Sequence, residues 1–212
     1  MSAGDRLGFE IERFGDRLGV DFLRYNPVVF KMYDRLAVRD SPAIVSALRA
    51  HFPGACRVID VGAGSGAFAA EARRQGLTAT AIERSRHGRR LAKRHGIRAL
   101  HFDLRATPPT TVEGRFDLAY CFEVAEHIPS ELADELVDFL CQLAPAVAFT
   151  AASPGQGGTG HINEQPAGYW TARFAARGYA PTPLSLPTAE LSPHWGKTNV
   201  LAFREAGSDA PS

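Results

Sequence analysis

The chain of 212 residues carries 24 Lys and Arg against 23 Asp and Glu, with 45% hydrophobic and 22% charged residues. That amount of ordinary globular material fits one domain with a full α/β core, and the balanced charge gives no overall bias toward nucleic acid or an anionic membrane. Cys56, Cys121 and Cys141 lie in or beside apolar runs without metal-type spacing, and the charged opening at Asp5, Arg6, Glu10 and Glu12 precedes no run of spanning length, so the expectation is buried reduced thiols in a cytoplasmic protein with no signal peptide.

Residues 1–40 mix charged and aromatic side chains. Phe9, Phe14, Leu18, Phe22 and Leu23 recur at roughly helical spacing, and after Tyr25-Asn26-Pro27 a second amphipathic piece passes through Phe30, Tyr33 and Leu36. This predicts an N-terminal helical cap over residues 1–52, part of the same domain as a core at 53–205, with 206–212 as a flexible tail. Ser41-Pro42 reads as a helix start, a hydroxyl N-cap before proline at the first helical position, with the helix reaching His51.

From Cys56 onward strand and helix patterns alternate. Strands are predicted at 57–61, 78–83, 98–102, 116–122 and 146–151, with helices at 66–75, 86–95 and 130–143 between them. A glycine-rich loop, Ser153 to Gly160, leads into a helix opened by Gln165-Pro166 and ended by Gly178, and residues 179–187 and 197–204 read as an antiparallel pair. The predicted fold class is α/β: a Rossmann-like doubly wound sheet of seven strands, the last antiparallel. Arg84, Arg86, Arg89, Arg90, Lys93 and Arg94 cluster on one helix, either as a solvated face or as a contact for a phosphate-bearing substrate or RNA.

The organising stretch is Val58-Ile59-Asp60-Val61-Gly62-Ala63-Gly64-Ser65-Gly66-Ala67-Phe68. A β-branched run, glycines at alternate positions and an alanine-rich helix make a strand, a tight turn and a helix N-terminus, a corner suited to nucleotides. Gly62-x-Gly64-x-x-Ala67, with Glu83 closing the next strand, also meets the dinucleotide fingerprint, so an NAD(P)-dependent oxidoreductase is one alternative. Asp60 argues against it, because a strand-end carboxylate repels a pyrophosphate and attracts a cationic amino-acid end. Asp60, Glu83, Asp103 and Glu123 all fall at carboxyl ends of predicted strands, the edge where such sheets bind ligands.

This order resembles the class I S-adenosylmethionine methyltransferases from about Ala55 to Arg204, and the C-terminal helix and hairpin match that family's usual end. The resemblance implies transfer of a methyl group to an oxygen or nitrogen of a small molecule, a metabolite or natural product, with S-adenosylmethionine as cofactor. It implies that Asp60, Gly62, Gly64 and Gly66 surround the cofactor's amino-acid end. Glu83 then takes the ribose hydroxyls, Asp103 with Leu104 meets the adenine, and Ala63, Arg84 and Phe122 complete the set.

In Cys121-Phe122-Glu123-Val124-Ala125-Glu126-His127-Ile128-Pro129 a helical turn would put Glu123, Glu126 and His127 on one face. Two carboxylates and an imidazole serve as acid/base groups, or hold a hard cation if a further ligand arrives, for which His161 is the candidate. The run resembles the ubiquinone-biosynthesis O-methyltransferases. It also resembles the RNA 3′-terminal 2′-O-methyltransferases, where two glutamates and two histidines hold magnesium or manganese. RNA methylation by a metal route is therefore a second alternative, against which the chain shows neither an RNA-binding domain nor a basic balance. A third is a non-catalytic module that keeps the fold as a partner surface.

The first choice for the base is His127, assisted by Glu123 or Glu126, with His161 second; His127 as a metal ligand or a backbone-bonded turn histidine are the other readings. Phe22, Tyr25, Phe30 and Tyr33 either line the acceptor pocket or pack on the core, and Tyr169, Trp170, His194 and Trp195 either enclose an aromatic acceptor or pack likewise. His51, His87, His95 and His101 are expected to lack partners. No membrane partner is expected, and the protein is read as a monomer or homodimer.

Overall fold

The computed structural model describes residues 27–104, 112, 114–158, 160–192 and 198–207. Its first helix, α1 (Pro27–His51), has proline at the first helical position, where a missing amide hydrogen costs nothing, and Arg49 and His51 at the negative end. The expected start at Ser41-Pro42 is corrected: Pro42 lies inside the helix. Proline there removes one ladder bond, at about 3 kcal/mol. Ile44, Val45 and Leu48 on the next turns are fully buried, and at roughly 2 kcal/mol per buried aliphatic side chain they outweigh that loss.

The central strands are β1 (Arg57–Val61), β2 (Thr78–Ile82), β3 (Leu118–Cys121) and β4 (Ala146–Ala152). They are nearly continuous apolar runs, and β3 and β4 are buried at every position, as parallel strands covered on both faces must be. Helix α2 (Ala67–Arg74) joins β1 to β2, and α3 (Arg86–Arg94) follows β2, its amides at His87 and Gly88 capped by the Ser85 hydroxyl. Helix α4 (Ala133–Leu143) opens with Asp134 and Glu135 at its positive end and leads into β4. After α5 (Ala167–Ala175) come β5 (Tyr179–Thr182) and β6 (Thr198–Glu205).

The strands form one sheet in the order β2-β1-β3-β4-β6-β5, with β6 antiparallel to both of its neighbours. The chain leaves β1 to β2 on one side and later returns to β3 on the other, so the crevice beyond the ends of β1 and β3 is the topological switch point. Six strands stand among the described residues where seven were expected. Of the predicted strand at 98–102, only Leu100 pairs, bridging to Ile82 beside β2. Its neighbours Arg98 and His101 are exposed, and an edge segment with charged, solvated side chains is blunted rather than extended.

Alternation along the strands feeds two cores. Ile59, Val61, Cys121, Val147 and Phe149 face one layer with α4 and α5, including Leu136, Leu140, Trp170 and Phe174. Val58, Tyr120, Ala146 and Ala148 face the other with α1 and α2, including Ile44, Val45, Leu48 and Ala69. Trp170 is thus core, stacked at a tilt 5.1 Å from Phe149. All three cysteines are free, but Cys56 is exposed rather than buried, while Cys121 is buried and Cys141 half-buried. Among the described residues no helix is long and apolar enough to cross a membrane.

Candidate active site

The turn after β1 is built by backbone shape. Gly62, Gly64 and Gly66 all take left-handed φ, at 74°, 52° and 74°, and the chain turns through them into α2. Glu83 at the end of β2 crosses to this turn: its carboxylate accepts from the Gly64 amide at 2.8 Å and from the Ser85 amide. Burial raises the Glu83 pKa, against the Ser85 and Gly64 amides and the Arg89 and Arg84 charges that lower it. Helix α3 seats closely here. A Cβ at Gly88 would meet the Gly64 carbonyl oxygen at 2.7 Å, Glu83 Cγ at 2.9 Å and Phe30 Cε1 at 3.1 Å. Phe30 of α1 therefore packs, buried, on the Gly88 side of α3 near Glu83.

Asp60 is buried at 3% exposure, and its Oδ2 has no hydrogen-bond partner among the described residues. Burial drives its pKa up to about 7, opposed by the Ala69 amide and reinforced by the Glu83 charge. A buried carboxylate oxygen that accepts no hydrogen bond from a described residue, two residues before the glycine turn, can receive a cationic group. Tyr120 sits opposite Asp60 across β3, with a buried hydroxyl that lacks a partner among the described residues and a pKa raised by burial and then by Asp60. Spacing along the sequence does not reveal Tyr120, which only strand pairing brings to Asp60. Its ring stacks 5.7 Å from Phe122, which meets Phe68 edge-on at 5.2 Å. Further along the edge, Arg84 approaches Asp103 at 3.9 Å, and Leu104 packs on the core.

The turn after β3 differs from the single helical face expected of it. Glu123 takes a left-handed φ of 54°, alone in this among described non-glycine residues, and a 3₁₀ turn follows over Ala125–His127. Thr150 of β4 holds Glu123 at two points: the Glu123 amide donates to Thr150 Oγ1 and the Thr150 hydroxyl donates to Glu123 Oε1, both at 2.8 Å. Strain of this kind at a non-glycine residue costs about 1–3 kcal/mol and collects at functional sites. Glu126 is wholly buried, and neither carboxyl oxygen accepts a hydrogen bond from a described residue. Burial, then the charge of Glu123, raises its pKa well above the usual carboxyl range.

The glycine-rich loop after β4 closes over this turn. The amides of Ile162 and Asn163 donate to the Glu126 carbonyl at 2.9 and 3.1 Å. His127 Nδ1 lies 3.0 Å from the Gly160 carbonyl, and His161 Nδ1 lies 2.9 Å from Glu164 Oε1. A carbonyl can only accept, so His127 Nδ1 carries hydrogen. The two rings meet edge-on with centroids 5.1 Å apart, and one ligand atom from each of Glu126, His127 and His161 lies within 4.8 Å of the others. Glu126, His127 and His161 come within 4.8 Å of one another, and Glu123, bonded to Thr150, stands near enough for its charge to raise the Glu126 pKa. Thr150, Gly160 and Glu164 were not foreseen.

Other expectations fall elsewhere. His51 bonds the Thr182 hydroxyl at 2.8 Å and His95 bonds Asp34 at 2.7 Å, correcting the reading of both as unpartnered. Tyr33 is exposed at 45%. Phe22, Tyr25, His194 and Trp195 lie outside the described residues. In the basic cluster Arg89 bonds the Glu83 carbonyl at 2.8 Å, while Arg86, Arg90, Lys93 and Arg94 are exposed.

A family profile for methyltransferase domains matches residues 29–178. Comparison with curated proteins gives no match. Among solved structures, an O-methyltransferase family protein from Burkholderia thailandensis superposes with a TM-score of 0.65 at 17% identity, over 88% of this chain and 63% of that one. This chain thus spans less than two thirds of that protein. Magnesium protoporphyrin IX methyltransferase from Synechocystis PCC 6803, with bound S-adenosylhomocysteine, gives 0.62 at 17% identity over 87% and 88% of the two chains. The 1,6-didemethyltoxoflavin-N1-methyltransferase of B. thailandensis, with its substrate and S-adenosylhomocysteine, gives 0.57 at 22% over 82% and 80%. At these identities the likeness is one of fold.

Proposed function

The chain belongs to the methyltransferase-domain family, and from that premise we propose that it moves the sulfonium methyl of S-adenosylmethionine to an oxygen or nitrogen of a small molecule, with a hydroxyl oxygen favoured. The observation that carries the reading is Asp60 Oδ2, buried and bare at the glycine turn, where the cofactor's ammonium would sit. Glu83 would take the ribose hydroxyls, and Asp103 with Leu104 the adenine. The similar proteins named above include enzymes that methylate small molecules and were crystallised with the demethylated cofactor, which supports the same class of acceptor here, in the cytoplasm.

Methyl transfer is an in-line displacement on an activated carbon, so the protein mainly holds donor and acceptor aligned. A hydroxyl must also lose its proton. His127 is placed for that: its Nδ1 is fixed on the Gly160 carbonyl, which orients the ring beside Glu126 and His161. Glu123 and Thr150 hold the turn that presents it.

A second reading is favoured by the bare oxygens of Glu126. Two imidazoles and a buried carboxylate that accepts no hydrogen bond from a described residue suit a divalent ion, magnesium or manganese, which Glu126, His127 and His161 would hold with Glu123 beside them. Such an ion supplies a lowered pKa to a bound hydroxyl. Calorimetric titration of EDTA-treated protein with S-adenosylhomocysteine, then with Mn²⁺, tests both. The expected results are saturable one-site binding of the former and a manganese heat lost in Glu126→Ala. Absence of S-adenosylhomocysteine binding alongside binding of NADH would replace the methyltransferase reading by the oxidoreductase alternative.

A further inference from the structure

The loop from Ser153 to Glu164 is folded around one carboxylate. Glu164 Oε2 accepts from the Gly155 amide at 2.8 Å, and Oε1 accepts from the Gly157 amide at 2.7 Å and faces His161 Nδ1 at 2.9 Å. Gly155 and Gly157 take left-handed φ of 80° and 68°, which points their amides inward as in an anion-binding nest, here filled by the chain's own side chain. Both Glu164 oxygens already accept amide hydrogens, so His161 Nδ1 is the donor to Oε1 and the neutral ring carries no hydrogen on Nε2.

The opposite side of the ring is equally constrained. A Cβ built on Gly158 would fall 2.4 Å from both His161 Cε1 and Nε2, so the imidazole lies against the Gly158 backbone and no other residue type fits without moving it. The ring is 11% exposed. Held by Glu164 at Nδ1 and packed against Gly158, it meets His127 edge-on and has a ligand nitrogen within 4.8 Å of ligand atoms of Glu126 and His127.

We infer that Glu164 is a positioning residue of the acceptor site, fixing the tautomer and orientation of the His161 ring beside Glu126 and His127. A carboxylate that only fastens a loop would need the glycine amides and not the ring; here one oxygen serves both. The inference rests on the reading of Glu126, His127 and His161 as the acceptor site.

The test is ¹⁵N NMR of histidine-labelled, EDTA-treated protein, which distinguishes the two neutral tautomers without cofactor, metal or acceptor. Wild type should show His161 with hydrogen on Nδ1. Glu164→Ala should convert it to a mixture dominated by the commoner Nε2–H form, while Glu164→Gln, which keeps a carbonyl acceptor, should restore the wild-type signature. Gly158→Ala should leave Glu164 in place yet displace the ring and change its signals. In parallel, manganese affinity should fall roughly ten- to hundred-fold in Glu164→Ala with S-adenosylhomocysteine affinity near wild type. An unchanged His161 tautomer in folded Glu164→Ala would overturn the inference. If that variant fails to fold, a wild-type tautomer with hydrogen on Nε2, or Gly158→Ala signals identical to wild type, would overturn it instead. Failure of wild type to bind S-adenosylhomocysteine would remove the methyltransferase reading while leaving the tautomer result standing.

Discussion

The turns after β1 and after β3 lie at neighbouring strand ends, yet they are made differently. The first is made by local backbone: glycines at alternate positions bend the chain, and one carboxylate from the next strand, Glu83, ties the bend at the Gly64 amide. The second is made by groups from far away in sequence, a hydroxyl and a backbone carbonyl. Thr150 reaches Glu123 from 27 residues off, and Gly160 reaches His127 from 33. A rigid, locally coded corner suits a cofactor that many proteins share, whereas a corner assembled from a loop can be re-specified for a particular acceptor by changing the loop.

If the two corners divide the work in this way, substitutions should separate them. The largest expected effect is at the second: His127→Ala should lower turnover by about 10²–10⁴-fold, the usual contribution of a positioned base, with S-adenosylhomocysteine affinity near wild type. A comparable loss of cofactor affinity would merge the corners. At the first, Asp60→Asn should weaken S-adenosylhomocysteine by about ten- to hundred-fold, as expected for loss of a charge-assisted bond worth roughly 1.5–3 kcal/mol.

Two smaller effects sharpen the contrast. The fold raises the Asp60 carboxyl from its ordinary value of 3.8 to about 7, so the folded protein binds the proton more tightly than the unfolded chain. Stability is therefore highest below the unfolded value, falls as pH rises through that window, and carries the full penalty above about 7. Asp60→Asn should consequently stabilise the free protein at neutral pH, by an amount on the order of 2 kcal/mol in urea unfolding. Binding of the cofactor's ammonium needs the ionised form. Affinity should therefore decline as pH falls below about 7 in wild type and stay flat in Asp60→Asn. At the second corner, Glu123→Gly should relieve the left-handed strain and gain about 1 kcal/mol or less, since the Thr150 contact to its carboxylate is lost at the same time. Thr150→Val should cost about 1 kcal/mol, the ordinary net value of such a hydrogen bond, and a neutral result would mean that Glu123 is held by other groups.

The same division explains what can be read from the sequence. Asp60, the glycine spacing and Glu83 are legible because each encodes a local shape at the end of an apolar strand, and the alternation that places them also gives the sheet order's central crossover. The segment at 98–102 has the pattern of a strand, but at the edge one bridge at Leu100 is all that forms. Ser41-Pro42 has the look of a boundary because proline usually marks one, and burial of Ile44, Val45 and Leu48 carries α1 past it. The gathering of Glu126, His127 and His161 is legible as residue types, though not as geometry. Glu123 falls at a helical spacing that its left-handed φ denies, Thr150 and Tyr120 act through tertiary contacts that no spacing rule contains, and Glu164 acts through a loop conformation that its spacing to His161 does not specify.

The most direct measurement is the S-adenosylhomocysteine dissociation constant of wild type, Asp60→Asn and Glu126→Gln, taken by calorimetry at one pH above the Asp60 transition. The account predicts tight one-site binding in wild type, a clear loss in Asp60→Asn and near-wild-type affinity in Glu126→Gln. Equal losses in both variants, or no saturable binding in wild type, would contradict it.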